Sequence, residues 1–266
     1  MSGGTTRRVV TRAAVVAIGA VVGMVLLSGT GQPVTAQPHA SWQPIAAPPL
    51  SVRTDALGVL VGHRVLVLGG RGADGLPLRD GASYDVHTGR WRHLRTPIAL
   101  TAADDAVAAD AVAVIRQAGP TSTTWWAFDP TPGTWTSLRR VPDCAGVPTA
   151  FGSEVYAIAG RHVVVFSVAL DRWTPLPGDR HRPSLTGRHV AASRVGIVVT
   201  GHAPGSSAVV QDRWDGLTWH RTRTGSVTYR GPGPLPAGVP ASGATRVRFG
   251  GEWLVVAGDH AWIRVS

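Results

Sequence analysis

The chain contains no lysine: all 26 basic residues among its 266 are arginine. Beside so much Ala, Gly and Val, that absence reads as the coding bias of a GC-rich genome, not as chemistry. Cysteine is nearly absent too. Cys144 stands alone, so no intramolecular disulfide can staple the body, and no cysteine follows the N-terminal apolar run to carry a lipid anchor. The chain also lacks a Gly-x-Ser-x-Gly elbow, a phosphate-binding loop, a Cys-x-x-Cys pair and a His-Glu-x-x-His helix, which removes the familiar signatures of hydrolase, nucleotide, redox and zinc-protease chemistry. A long apolar run occurs only at residues 13–27, and its 15 residues fall short of the roughly 20 that cross a bilayer comfortably.

That run belongs to a leader. Arg7, Arg8 and Arg12 precede it, and a polar stretch ending Val34-Thr35-Ala36 offers the small residues a signal peptidase accepts. Residues 1–36 are therefore expected to be a signal peptide, with an uncleaved N-terminal membrane anchor as the alternative, and the body at 37–266 is expected to be exported to the cell surface or beyond. Thr6-Arg7-Arg8-Val9-Val10 resembles a twin-arginine signal, short of the full motif.

What the sequence does hold is repetition. At 44% hydrophobic content the chain can fill one large core. Trp42, Trp91, Trp135, Trp173 and Trp219 are each followed three residues later by Ile, Leu or Thr, at spacings of 49, 44, 38 and 46. A period in the forties fits propeller blades and excludes shorter helical repeats. Turns rich in Asp, Gly and Pro precede all but the first of these tryptophans, as in Asp85-Val-His-Thr-Gly-Arg-Trp91. Ahead of the turns lie short apolar strands at 82–84, 125–128, 163–166 and 209–214. Further upstream, another set at 65–70, 111–115, 154–160, 196–201 and 252–258 tends to end in glycine.

This arrangement resembles the kelch repeat: an apolar strand closed by Gly-Gly, an aromatic-Asp strand end, then Trp three residues before an apolar position. Gly69, Gly70, Tyr84, Asp85 and Trp91 make the first unit a close match, whereas the doublet shrinks to Gly160, Gly201 and Gly258 later, and the second unit has Arg116-Gln117 there. The resemblance implies an all-β fold. Trp42 has an outer-strand signature with no strands of its own before it, while the last unit, with strands at 244–249, 252–258 and 261–265, lacks a fourth. The expected fold is a five-bladed β-propeller of four-stranded antiparallel blades, the last closed by the N-terminal strand. A larger ring shared between chains is the alternative. It would not need Trp42 to meet 261–265.

Up-and-down strands put connections on two faces, and the longer ones are expected at 71–81, 95–104, 118–124, 139–148, 161–162, 177–188, 203–207, 221–243 and 259–260. Together they carry +6 of the +7 that remains after Ala36. Arg71, Arg79, Arg139, Arg140, Arg180, Arg182, Arg188, Arg221, Arg223 and Arg230 suit that face to an anionic polysaccharide, a phosphate-bearing wall polymer or an acidic protein. A solvated rim that keeps the body soluble is the other reading. Nucleic acid is not an expected partner, since no aromatic-basic platform recurs. The 221–243 stretch either caps the ring mouth or is disordered. The repeat tryptophans read as packing between blades.

The resemblance brings two catalytic precedents. A galactose oxidase-like copper site would draw on Cys144, Tyr229, His181, His189 and His202, and a propeller glycosidase or lyase would need two carboxyls from among Asp104, Asp105, Asp143, Asp179 and Asp259. Neither has a local motif here, and His87, His93 and His220 read as surface residues. The chain is expected to be a non-catalytic, cofactor-free binding or scaffold propeller outside the cytoplasm, with a carbohydrate-active enzyme as the rival.

Overall fold

Short turns set the path of this chain. In the computed structural model, which describes residues 41–119, 123–138, 144–177, 185–223, 236, 239, 244–249 and 252–265, there is no helix among the described residues. Strand β1 (Ser41–Ile45) comes first. Blade one follows as β2 (Leu57–Val61), β3 (Arg64–Leu68), β4 (Asp80–Asp85) and β5 (Arg90–Arg95), and blade two as β6 (Asp105–Ala109), β7 (Val112–Ala118), β8 (Thr123–Asp129) and β9 (Thr134–Ser137). Blade three is β10 (Cys144–Phe151), β11 (Glu154–Ala159), β12 (His162–Ser167) and β13 (Arg172–Pro175). Blade four is β14 (Thr186–Ser193), β15 (Gly196–His202), β16 (Val209–Trp214) and β17 (Trp219–Arg223). Blade five starts with β18 (Thr245–Phe249), β19 (Glu252–Ala257) and β20 (His260–Val265).

In every blade two residues separate the first strand from the second, and in blades one to four another four separate the third from the fourth. Such tight links force antiparallel neighbours. All five sheets are four-stranded and antiparallel, and the fifth has the order β1-β20-β19-β18. Trp42 lies opposite Arg264 and Ile45 opposite Ala261, so the N-terminal strand supplies the missing fourth strand of blade five within the same chain. The fold is a five-bladed β-propeller, and a ring shared between chains is not needed to close it. Innermost strands β18, β2, β6, β10 and β14 touch in that order.

The core lies between the blades. Blades one and two enclose Leu66, Leu68, Ile115 and Phe128, while blades two and three enclose Val114, Trp125, Val155 and Phe166. Val65, Val67, Leu254 and Val256 join blades five and one, and Ile158, Val190, Val199 and Trp214 join three and four. Each such aliphatic side chain contributes about 1.5–3 kcal/mol by leaving water. Trp125 and Trp126 take opposite faces of β8 and enter different cores, toward blade three and blade one respectively.

The repeat tryptophans all stand on outermost strands. In four blades each lies directly opposite, and packs against, an aromatic on the neighbouring strand: Tyr84 with Trp91, Phe128 with Trp135, Phe166 with Trp173 and Trp214 with Trp219, at ring separations of 4.6–5.5 Å. Three of them also reach backward to the preceding blade. The indole N–H groups of Trp91, Trp135 and Trp219 donate to the carbonyls of Ala46, Arg95 and Pro177, at 2.7, 3.1 and 3.0 Å. One side chain thus ties the sheet edge to itself and to its neighbour.

Innermost strands replace part of two expected loops. The connection read at 139–148 gives way to β10 from Cys144, and the one at 177–188 to β14 from Thr186. Both strands carry a register shift, between Ala145 and Thr149 and between Thr186 and His189. A bulge inserts an extra residue and breaks the alternation by which a strand is recognised in sequence.

Candidate functional site

The face bearing the longer connections is anchored at blade one. The segment 46–56, which leads from β1 into β2, buries Arg53 at 3% exposure. Its guanidinium grips Asp80 in a two-pronged pair at 2.8 and 3.0 Å, and donates further to the carbonyls of Gly69 and Ser51. The hydrogen bond from Arg53 outweighs desolvation and holds the Asp80 carboxyl below its ordinary value. Arg53 was not visible as special in the sequence, because nothing local to it signals burial.

The Gly-Gly doublet has its reason in the same place. Gly69 and Gly70 have φ of 62° and 97°, and a Cβ on Gly69 would stand 2.1 Å from the Leu100 carbonyl oxygen, while one on Gly70 would stand 2.7 Å from that of Thr54. Gly70 N–H donates to Leu100 O at 2.7 Å, so the connections 46–56, 69–79 and 96–104 are knitted together. No side chain fits between them. Gly160 and Gly258 keep a positive φ without crowding by backbone, and Gly201 instead sits in β15 against Leu185 and Thr186.

The arginines expected on this face divide into three groups. Arg71 and Arg79 are exposed on the 69–79 connection, with Arg71 donating to the Gly75 carbonyl. Arg188, Arg221 and Arg223 lie on strands, a correction to their placement in loops. Arg188 is half-buried on β14 and donates to Gly160 O of blade three at 3.4 Å. Arg221 grips Asp212, itself fully buried, at 2.7 and 2.8 Å, so it serves the sheet. Arg139, Arg140, Arg180, Arg182 and Arg230 lie outside the described residues, as do most of 221–243 and all of the expected signal peptide at 1–36. No helix among the described residues is long and apolar enough to cross a membrane.

Three carboxylates on this face are turned inward, whereas Asp55, Asp74 and Asp259 stand exposed. Asp80 is held by Arg53, Asp105 by Arg116, and buried Asp104 accepts from the Thr101 and Ala118 N–H groups at 2.7 and 2.9 Å. Asp104 and Asp105 thus have structural partners, while Asp143 and Asp179 lie outside the described residues. Cys144 is not in a loop but at the start of β10, buried between blades two and three. His189 is exposed on β14 and His202 ends β15, where its Nδ1 meets the Ser207 carbonyl at 3.3 Å; Tyr229 and His181 lie outside the described residues. The copper set expected from the oxidase precedent is not brought together among the described residues.

The tight-turn face holds two features that sequence reading passed over. A cleft of about 650 Å³ opens between blades three and four, rimmed by exposed Phe151, Leu170 and Val195. Arg172 and Arg194 there are offset by Glu154 and Asp215, which leaves the cleft mixed in charge. Tyr156 donates a short hydrogen bond to Glu154 within it, and burial, reinforced by that carboxylate, pushes the phenol above its ordinary value. The other feature is in blade one, where His63, Asp85 and His87 gather their donor atoms within 4.8 Å of one another. Both turns of a blade's tight end are neighbours once the strand order is known, which is the signal that could have joined His63 to His87.

No family model matches the chain, and no curated protein matches it either.

Proposed function

We propose that this chain is an exported kelch-type propeller that binds, without catalysis, a polyanion bearing carboxylate or phosphate groups through its longer-connection face. The formal excess of arginine in the longer connections, +6 of the +7 that remains after Ala36, carries the reading. Of the carboxylates on that face, Asp80, Asp104 and Asp105 are spent on internal partners, while Asp55, Asp74 and Asp259 stand exposed along with Arg71, Arg79 and Arg161. Guanidinium groups held on a rigid scaffold match such oxyanions with paired hydrogen bonds. The kelch-like spacing of strands, glycines and tryptophans supports the family assignment, and the arginine-flanked apolar leader supports export.

The test is retention of the full chain on immobilised polygalacturonate and on teichoic acid across a salt series. Arg71→Ala with Arg79→Ala should weaken retention several-fold at low salt and flatten its salt dependence, because fewer counterions are exchanged. Retention equal to that of the unaltered chain at every salt concentration would sink the proposal.

A further inference from the structure

At the tight-turn end of blade one, two turns are laid against each other. Residues 62–63 join β2 to β3, residues 86–89 join β4 to β5, and the Val86 N–H donates to the His63 carbonyl at 3.0 Å. Asp85 closes the second turn on itself: its Oδ1 accepts the N–H groups of His87 and Thr88 at 3.0 and 3.1 Å. Its other oxygen, Oδ2, faces His63 Nε2 at 3.3 Å. The rings of His63 and His87 stack at 4.9 Å, within 7° of parallel.

The turn does not need these histidines. Blade two builds the same one, with Thr131 N–H on Asp129 Oδ1 at 2.9 Å and Gly133 N–H on the Asp129 carbonyl at 2.9 Å, as Gly89 N–H sits on that of Asp85. At the two equivalent positions blade two carries Ala111 and Thr131. The imidazoles are an addition to a frame that stands without them.

We propose that this end of blade one binds one borderline divalent transition-metal ion, Zn²⁺ or Cu²⁺, through His63, Asp85 and His87, with solvent completing the coordination. Two imidazoles and one carboxylate suit such ions and not Ca²⁺ or Mg²⁺, which favour oxygen alone. Bonds of about 2.0–2.2 Å put donor atoms roughly 3–3.5 Å apart. Donors already within 4.8 Å of one another close that gap by small side-chain rotations, and His63 and His87 are exposed enough to make them. Asp85 is ready for its part, because its backbone partners occupy Oδ1 and leave Oδ2 to the ion. The site lies on the opposite face from Arg71 and Arg79, so it stands or falls independently of polyanion binding.

The experiment uses the full chain without a polyhistidine tag, stripped with chelator, and titrated with Zn²⁺ alone by calorimetry and with Cu²⁺ alone by electron paramagnetic resonance. One equivalent is expected, and the Cu²⁺ spectrum should show hyperfine coupling to two imidazole nitrogens. His63→Ala with His87→Thr installs the residues blade two tolerates, and should lose that equivalent while keeping the unfolding midpoint. His87→Thr alone is the milder variant. It should bind at least about tenfold more weakly, since even groups that merely support a ligand matter on that scale, and should show one nitrogen fewer. An unaltered chain that takes up no ion, or a His87→Thr chain with unchanged affinity and spectrum, overturns the proposal.

Discussion

Blades one and three share a four-strand plan and differ in what braces it. Around blade one, three connections are stitched together by Arg53, Asp80, Gly69 and Gly70, and the Trp91 indole has its carbonyl partner. Blade three joins β11 to β12 through two residues only, a Cβ on its Gly160 would meet nothing within 4 Å, and the indole N–H of Trp173 is buried without a partner among the described residues. It also borders the 650 Å³ cleft shared with blade four. Strands alone therefore make a blade. Connections decide how firmly it is held.

Removing the brace should separate the two blades most. Arg53→Ala leaves Asp80 and the Gly69 carbonyl without their main donor and opens a void where a buried side chain stood, for about 3 kcal/mol or more together. Denaturant unfolding reads this directly, and a loss within about 0.5 kcal/mol, the scale of an ordinary surface change, would mean the brace holds nothing. The pair also ties stability to pH. Because Asp80 has a lowered folded value, its contribution is complete above the ordinary 3.8 and drains away as pH falls through the lowered one. Asp80→Asn should accordingly be less stable near neutrality and show a shallower acid limb.

A smaller contrast is expected at the glycines. Gly69→Ala must displace the Leu100 backbone as well as hold a positive φ, for about 2–4 kcal/mol, whereas Gly160→Ala meets only the strained φ, for about 1 kcal/mol. Equal melting temperatures for the two variants would erase the distinction drawn between these connections. The tryptophans should differ least. Trp91→Phe forfeits a hydrogen bond worth about 1 kcal/mol that Trp173→Phe does not have to lose. Once the shared loss of ring volume cancels, Trp91→Phe should be the more destabilising of the two.

The ring was legible where packing repeats and illegible where it does not. Trp42, Trp91, Trp135, Trp173 and Trp219 fall on outermost strands, and the unmatched Trp42 strand finds β20, because identical environments around an axis select similar residues at a fixed interval. Of the innermost strands only β18 was marked in the sequence: β2 and β6 went unmarked although their pairing is regular, and at β10 and β14 bulges scramble the alternation. The charged face was only half readable. A guanidinium looks the same in sequence whether it meets solvent, as Arg71 does, or a buried carboxylate, as Arg221 does, and the partner Asp212 lies on another strand. His63 and His87 are separated by two strands in the chain and by one stacking distance in space. Only the strand order brings them together.

The seam between β1 and β20 bears on how the protein comes to be folded. Blades one to four can each assemble from a contiguous stretch, but Trp42 and Arg264 are more than two hundred residues apart. Closing that span instead of a blade-sized one adds only about 1.5 kcal/mol of loop entropy, so the seam is inexpensive to keep. It is slow to find. Until it forms, β1 is a loose strand and β20 an open sheet edge, and in a crowded refolding mixture the β1 of one molecule can complete the fifth blade of another. The same pairing that seals a single ring is the natural point of exchange between two.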